Sequence, residues 1–175
     1  MLDLIKPAQR IDTINRQLGH AVAWLIPTMA LVTFGVVVLR YGFSKGAIAA
    51  QESVLYMHAT AFLLGSAFTL MTDQHVRVDI FYRQFSPRGK AWVNAVGHIV
   101  FTLPVCALIG WGSVDYVADA WRIREGSPEP GGLHAVYLLK TLIPAMAVLL
   151  VLQAISETLK ALALLVEVEV KAPHG

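Results

Sequence analysis

The chain has 175 residues, 56% of them hydrophobic and only 15% charged, with a mean hydropathy of +0.59. Soluble domains run near about 45–50% apolar and about 25% charged, so an ordinary water-soluble globule is excluded. Fourteen basic against twelve acidic residues leave +2, too weak a bias for a nucleic-acid partner, and the sole cysteine, Cys106, excludes an internal disulfide or a Cys-cluster metal site.

Met1 to His20 form a polar leader in which Ile11, Ile14 and Leu18 recur at helical spacing around Asp12, Asn15 and Arg16. That pattern predicts a short helix over about 8–19, either lying at the membrane interface or continuing the first span into water. Residues 21–39 carry no charge and predict a first span over about 21–40. Leu39-Arg40-Tyr41 stands where a secretory signal would end in small residues, so this helix is read as retained. A small-residue connector, 42–50, leads to a second span over about 52–72. Glu52 opens it, where a negative charge suits the helix N-terminal dipole. Within it Met57, Ala61 and Gly65 recur every four residues beside Ser66 and Ala67. Such a strip lets backbones approach closely, either within the chain's own helices or against another membrane subunit.

The next segment, Asp73-Gln74-His75-Val76-Arg77-Val78-Asp79-Ile80-Phe81-Tyr82-Arg83, would pair Asp73 with Arg77 and Asp79 with Arg83 if helical, acid before base. A third span follows over about 91–114, then an outer loop over 115–132 carrying Arg122, Arg124, Glu125 and the turn formers Pro128, Pro130, Gly131 and Gly132. The fourth span, about 134–156, is interrupted once, by Lys140, which is placed to snorkel. Beyond Ser156, Leu159, Leu162 and Leu165 keep a helical stripe into the cytoplasm, and Glu167 to Gly175 read as a frayed tail. Pro27, Pro104 and Pro144 predict simple kinks within the spans.

Each apolar stretch approaches the roughly 20 residues needed to cross about 30 Å of hydrocarbon. Outer-membrane strands would alternate apolar and polar residues instead. The expectation is one all-α integral membrane domain over 1–175, with four transmembrane helices and short interfacial helices. Nine Lys and Arg fall on the leader, the 73–90 loop and the tail, against four on the two opposite loops. Both termini are therefore expected in the cytoplasm.

Six histidines raise a haem reading, with His20 and His98 toward the cytoplasm and His58 and His134 toward the outside, as in a four-helix di-haem cytochrome b. A self-contained small transporter is the other alternative. No enzyme is indicated: Ser113 follows Gly-Trp-Gly without a Gly-x-Ser-x-Gly frame.

From Arg40-Tyr41 onward the chain resembles the small membrane subunit, the DctQ type, of tripartite ATP-independent periplasmic (TRAP) transporters. The resemblance rests on Glu52, Leu64-Gly65-Ser66-Ala67, His75-Val76-Arg77-Val78-Asp79 and Ser86-Pro87-Arg88. Glu125-Gly126-Ser127-Pro128, Gly131-Gly132-Leu133, Leu139-Lys140 and Ile143-Pro144 look like the branch labelled mannitol/chloroaromatic-compound type. Gln51 departs from relatives, which often carry an acid or an aromatic there. The resemblance implies a subunit of the bacterial inner membrane without cofactors, a scaffold for a large subunit that holds the substrate and sodium sites. It also implies a periplasmic binding protein that delivers an organic acid. On this reading Arg40, Glu52, Met57, Ala61, Gly65, His75, Arg77, Asp79 and Arg83 are candidate contacts with the large subunit or membrane lipids. Arg122, Arg124 and Glu125 are candidate contacts with the binding protein.

Overall fold

A computed structural model of the chain describes residues 2–75 and 82–171. Its helices are α1 (Leu2–Ala23), α2 (Leu25–Phe43), α3 (Ile48–Met71), α4 (Pro87–Gly97), a π-helical turn (His98–Thr102), α5 (Leu103–Gly112), α6 (Val114–Arg122) and α7 (Val136–Lys171). Four segments are long and apolar enough to cross a membrane: Ile5–Phe43, Ile48–Met71, Pro87–Arg122 and Val136–Val166.

The breaks follow the prolines. Pro27 has no N–H for the carbonyl four residues back, so the helix yields one turn earlier, at Trp24. There the Trp24 N–H bonds the Ala21 carbonyl at 3.3 Å. Ahead of Pro104 the chain widens into the π turn, in which the Leu103 N–H donates to the His98 carbonyl. Pro144 sits inside α7 without interrupting it. Ser44, at φ 53°, closes α2 in the left-handed region, and the Lys45 N–H reaches back to the Leu39 carbonyl at 3.1 Å. Ser86 caps α4 by accepting the Gly89 N–H at 3.2 Å, with Pro87 at the first helical position.

Three of these helices, α1, α3 and α7, pack against one another, and the others flank that group. The central α7 carries α1 and α3 on one flank and the α4–α6 stack on the other, while α2 packs on α3 and the end of α1. Contacts are made through small residues. Ala67, Ala91, Ala95, Ala147 and Ala154 are buried, and a Cβ on Gly110 would stand 3.4 Å from Ala147. Only 6% to 17% of the most apolar stretch of each segment is buried, so much apolar span surface is left open. The Ser44–Ala47 turn and the 123–135 loop share one end. The described termini and residues 72–75 and 82–86 share the other.

Three elements differ in extent from the expected bounds. The leader helix spans Leu2–Ala23 rather than about 8–19, runs into α2 with a single break and packs antiparallel on α3 and α7. The outer loop is shorter than 115–132, because residues 114–122 form α6, with Asp115, Asp119 and Arg122 on its exposed face and Ala120 buried. The tail stays helical to Lys171.

Candidate functional site

At the outer end, the residues singled out in the sequence converge. Glu52, in the first turns of α3, accepts the Ser127 hydroxyl on one oxygen and the Leu133 N–H on the other, the latter at 2.6 Å. The Ser127 N–H bonds the Leu133 carbonyl at 2.9 Å, and the Ser127 Oγ also accepts the Glu129 N–H at 3.1 Å. One carboxylate thus ties the start of α3 to both arms of the 123–135 loop. Gly132 has to be glycine here, since a Cβ would press on the Ser127 hydroxyl and stand 2.7 Å from Glu52 Oε1. Gly131, at φ 81°, makes the tight reversal beside it.

A second tie joins the loop to α7. Lys140 Nζ donates to Glu125 Oε2 at 2.5 Å and stands 4.0 Å from the Tyr116 ring centroid. Arg124 lies over both Trp121 and Tyr137, 5.2 and 5.4 Å from their ring centroids, and the Trp121 indole N–H donates to Thr141 at 2.9 Å. Of the three residues proposed for binding-protein contact, Glu125 and Arg124 are therefore held within the chain. Arg122 is exposed and pairs with Asp119 on its own helix.

Along α3, Ala61 and Gly65 line an apolar groove of about 560 Å³ against α1 and α2, together with His20, His58 and Phe62. Gly65 faces Val22 of α1, Met57 is half-buried, and Ala67 is the fully buried residue of the strip. Tight approach occurs one turn on, where a Cβ on Gly19 would stand 2.5 Å from the Phe68 ring. Asp73, at φ 58°, has left the helix, so the helical pairing expected to start from it does not apply. His75 folds back with Nε2 3.1 Å from the Ser66 carbonyl, and Arg83 is exposed in the turn before α4. Arg77 and Asp79 lie outside the described residues. Arg40, exposed in the last turn of α2, borders a polar pocket with Lys45 and Gln51.

Sequence reasoning missed a polar network at the inner end. Gln153, fully buried in α7, accepts from Asn15 Nδ2 at 2.7 Å and donates from Nε2 to Asp12 at 2.9 Å and Glu157 at 2.8 Å. Ser156 donates to Asp12 at 2.8 Å, and Lys160 spans Asp12 and Glu157 at 3.0 and 2.6 Å. The available signal was the helical spacing of Asp12 with Asn15 and of Gln153 with Ser156, Glu157 and Lys160.

The histidines take separate roles. His20 sits edge-on to Phe68, His58 stacks on Phe62, His98 contacts Thr102 at 3.3 Å, and His134 packs where a Cβ on Gly126 would fall. His20 and His98 lie on opposite flanks of α7.

The sequence profile described as "Tripartite ATP-independent periplasmic transporters, DctQ component" matches residues 29–164. The chain is 29% identical over 100 residues to a putative TRAP transporter small permease protein of Haemophilus influenzae, covering 57% of this chain and 62% of that one. It is 26% identical over 118 residues to the C4-dicarboxylate TRAP transporter small permease protein DctQ of Vibrio cholerae, covering 65% of this chain and 50% of that one. The chain thus spans less than two thirds of the length of either relative. No solved structure matches it significantly.

Proposed function

This chain belongs to the DctQ family of TRAP transporter components, and from that premise we propose that it is the static small permease subunit of a binding-protein-dependent importer. It is a multi-pass membrane protein, and its place is the bacterial inner membrane. Its partner is a larger membrane subunit that carries the substrate and sodium sites and moves against it. The substrate is an organic acid, in line with the C4-dicarboxylate in the name of the Vibrio relative. The chain itself catalyses no reaction.

The largely unburied apolar surface of the four spans is the observation that carries the scaffold reading. A self-contained transporter places its substrate path between helices packed around it, often on broken helices in matched halves. Here α1, α3 and α7 pack on one another through alanine and glycine contacts, most of each span stays exposed, and polar ties are concentrated at the two ends. These exposed span faces supply a broad apolar wall against which another subunit can pack. Arg122, exposed at the end of α6 and paired with Asp119 on its own helix, is the residue proposed to dock the binding protein.

Co-expression with the large subunit of the same system tests this. The two should co-purify, and uptake into proteoliposomes should require both, a sodium gradient and the loaded binding protein. Arg122→Glu should raise the binding-protein concentration needed for half-maximal uptake. Sodium-driven uptake by this chain alone would overturn the assignment.

A further inference from the structure

The turn between α2 and α3 combines three features that suit one ligand. Arg40 and Lys45 border a pocket of about 340 Å³, and neither has a carboxylate partner among the described residues. The first turn of α3 opens into the same pocket with no side chain capping its N–H groups, because the N-cap is Ala47. From the pocket, an apolar groove of about 350 Å³ runs along the seam of α2 and α3, past Val36, Val37 and Val54. Val36, Arg40 and Gln51 border both cavities, which therefore adjoin. Glu52, the nearest acid in sequence, is turned away to Ser127 and Leu133.

We propose that this turn is a binding site for one glycerophospholipid of the outer leaflet, its phosphate between Arg40 and Lys45 and an acyl chain in the α2–α3 groove. Two cations and a bare helix N-terminus at the level of the headgroups complement a phosphate. The groove begins where the headgroup ends and is bounded by span residues, so an acyl chain enters it along the membrane normal. Tyr41, strongly exposed beside Arg40, stands at the interfacial level where tyrosines are enriched. Gln51, the departure from relatives noted in the sequence, adds a neutral donor to the pocket where an acid would repel the phosphate. The assignment depends on the chain spanning the membrane and not on which importer it serves.

Native mass spectrometry of the full chain in detergent tests it, with palmitoyl-oleoyl phosphatidylglycerol, palmitoyl-oleoyl glycerol and inorganic phosphate as separate probes. One phosphatidylglycerol should be retained, while the diacylglycerol and inorganic phosphate bind far more weakly. The double variant Arg40→Gln with Lys45→Gln should lose roughly tenfold in affinity, as expected for two weakened charge–phosphate contacts. Arg40→Lys should retain binding, and Val37→Trp should weaken it with both cations intact. Equal binding of the diacylglycerol would overturn the proposal, as would binding of phosphate alone as tightly as the lipid. So would a complex with the large subunit that carries no phospholipid here, because the occupant would then be protein.

Discussion

Gln153 uses both ends of its amide. Its oxygen holds Asn15, which is 2% exposed, and its nitrogen bridges the carboxylates of Asp12 and Glu157. That order of donor and acceptor is fixed by the two carboxylates, which only accept. Leucine has a comparable volume, so Gln153→Leu keeps the packing and removes the hydrogen bonds alone. It strands the Asn15 amide in a site that excludes water, which costs about 1–3 kcal/mol. Gln153→Leu should therefore lower the unfolding midpoint in detergent, followed by tryptophan fluorescence, while Gln153→Glu should lower it further by adding a third carboxylate. A leucine variant melting with the parent would show the network to be dispensable. The residue was not legible in the sequence as a centre, because its partners lie 138 and 141 positions away and a lone polar residue in an apolar span has many innocuous explanations.

Between elements, the same logic operates at the outer end through Glu52. The start of α3, the 123–135 loop and the start of α7 are joined by two carboxylates, Glu52 to Ser127 and Leu133, Glu125 to Lys140. All five residues stood out in the sequence, but their joining did not. A chain position reports residue type, whereas the loop's return past α3 is set by the turn at Gly131 and the close approach at Gly132. The loop is shorter than expected because the charges at Asp115, Asp119 and Arg122 end the apolar run without ending the helix, whose amphipathic period continues to Arg122. Loops held by few side-chain bonds open locally once those bonds go. Glu52→Ala should therefore release the loop without unfolding the spans. The expected result is cleavage within 126–131 roughly tenfold faster by a protease added from the outer side, with helical content unchanged. Glu125→Gln should give a smaller acceleration, since Lys140 can still donate to an amide oxygen. Equal cleavage rates in the parent and Glu52→Ala would show that the loop is held by its turns alone.

Across the whole molecule, the number of spans and their approximate limits were legible because membrane burial demands uninterrupted apolar length. Their arrangement was not. A helix face turned to lipid and one turned to another subunit are equally apolar, so periodicity carries no address for either. The three longest segments also outreach the bilayer: 36 residues of helix extend about 54 Å. At the inner end the excess of α4 packs on that of α7 through Ala91, Ala95, Ala161 and Leu165, and α1 packs on α7 separately, which extends the scaffold beyond the lipid. Which end is inner follows from charge, since nine basic residues lie on the leader, the 73–90 loop and the tail and four on the opposite loops. Cysteine labelling checks the direction in a Cys106→Ser background. Glu129 is exposed in the outer loop and Arg88 is exposed at the start of α4, so E129C and R88C report opposite ends. A membrane-impermeant maleimide applied to spheroplasts should label E129C readily and R88C only after permeabilisation. The reverse pattern would invert the chain. It would also place the Arg40–Lys45 pocket in the cytoplasmic leaflet and leave Arg122 out of reach of a periplasmic binding protein, so this one measurement bears on every partner assigned to the outer end.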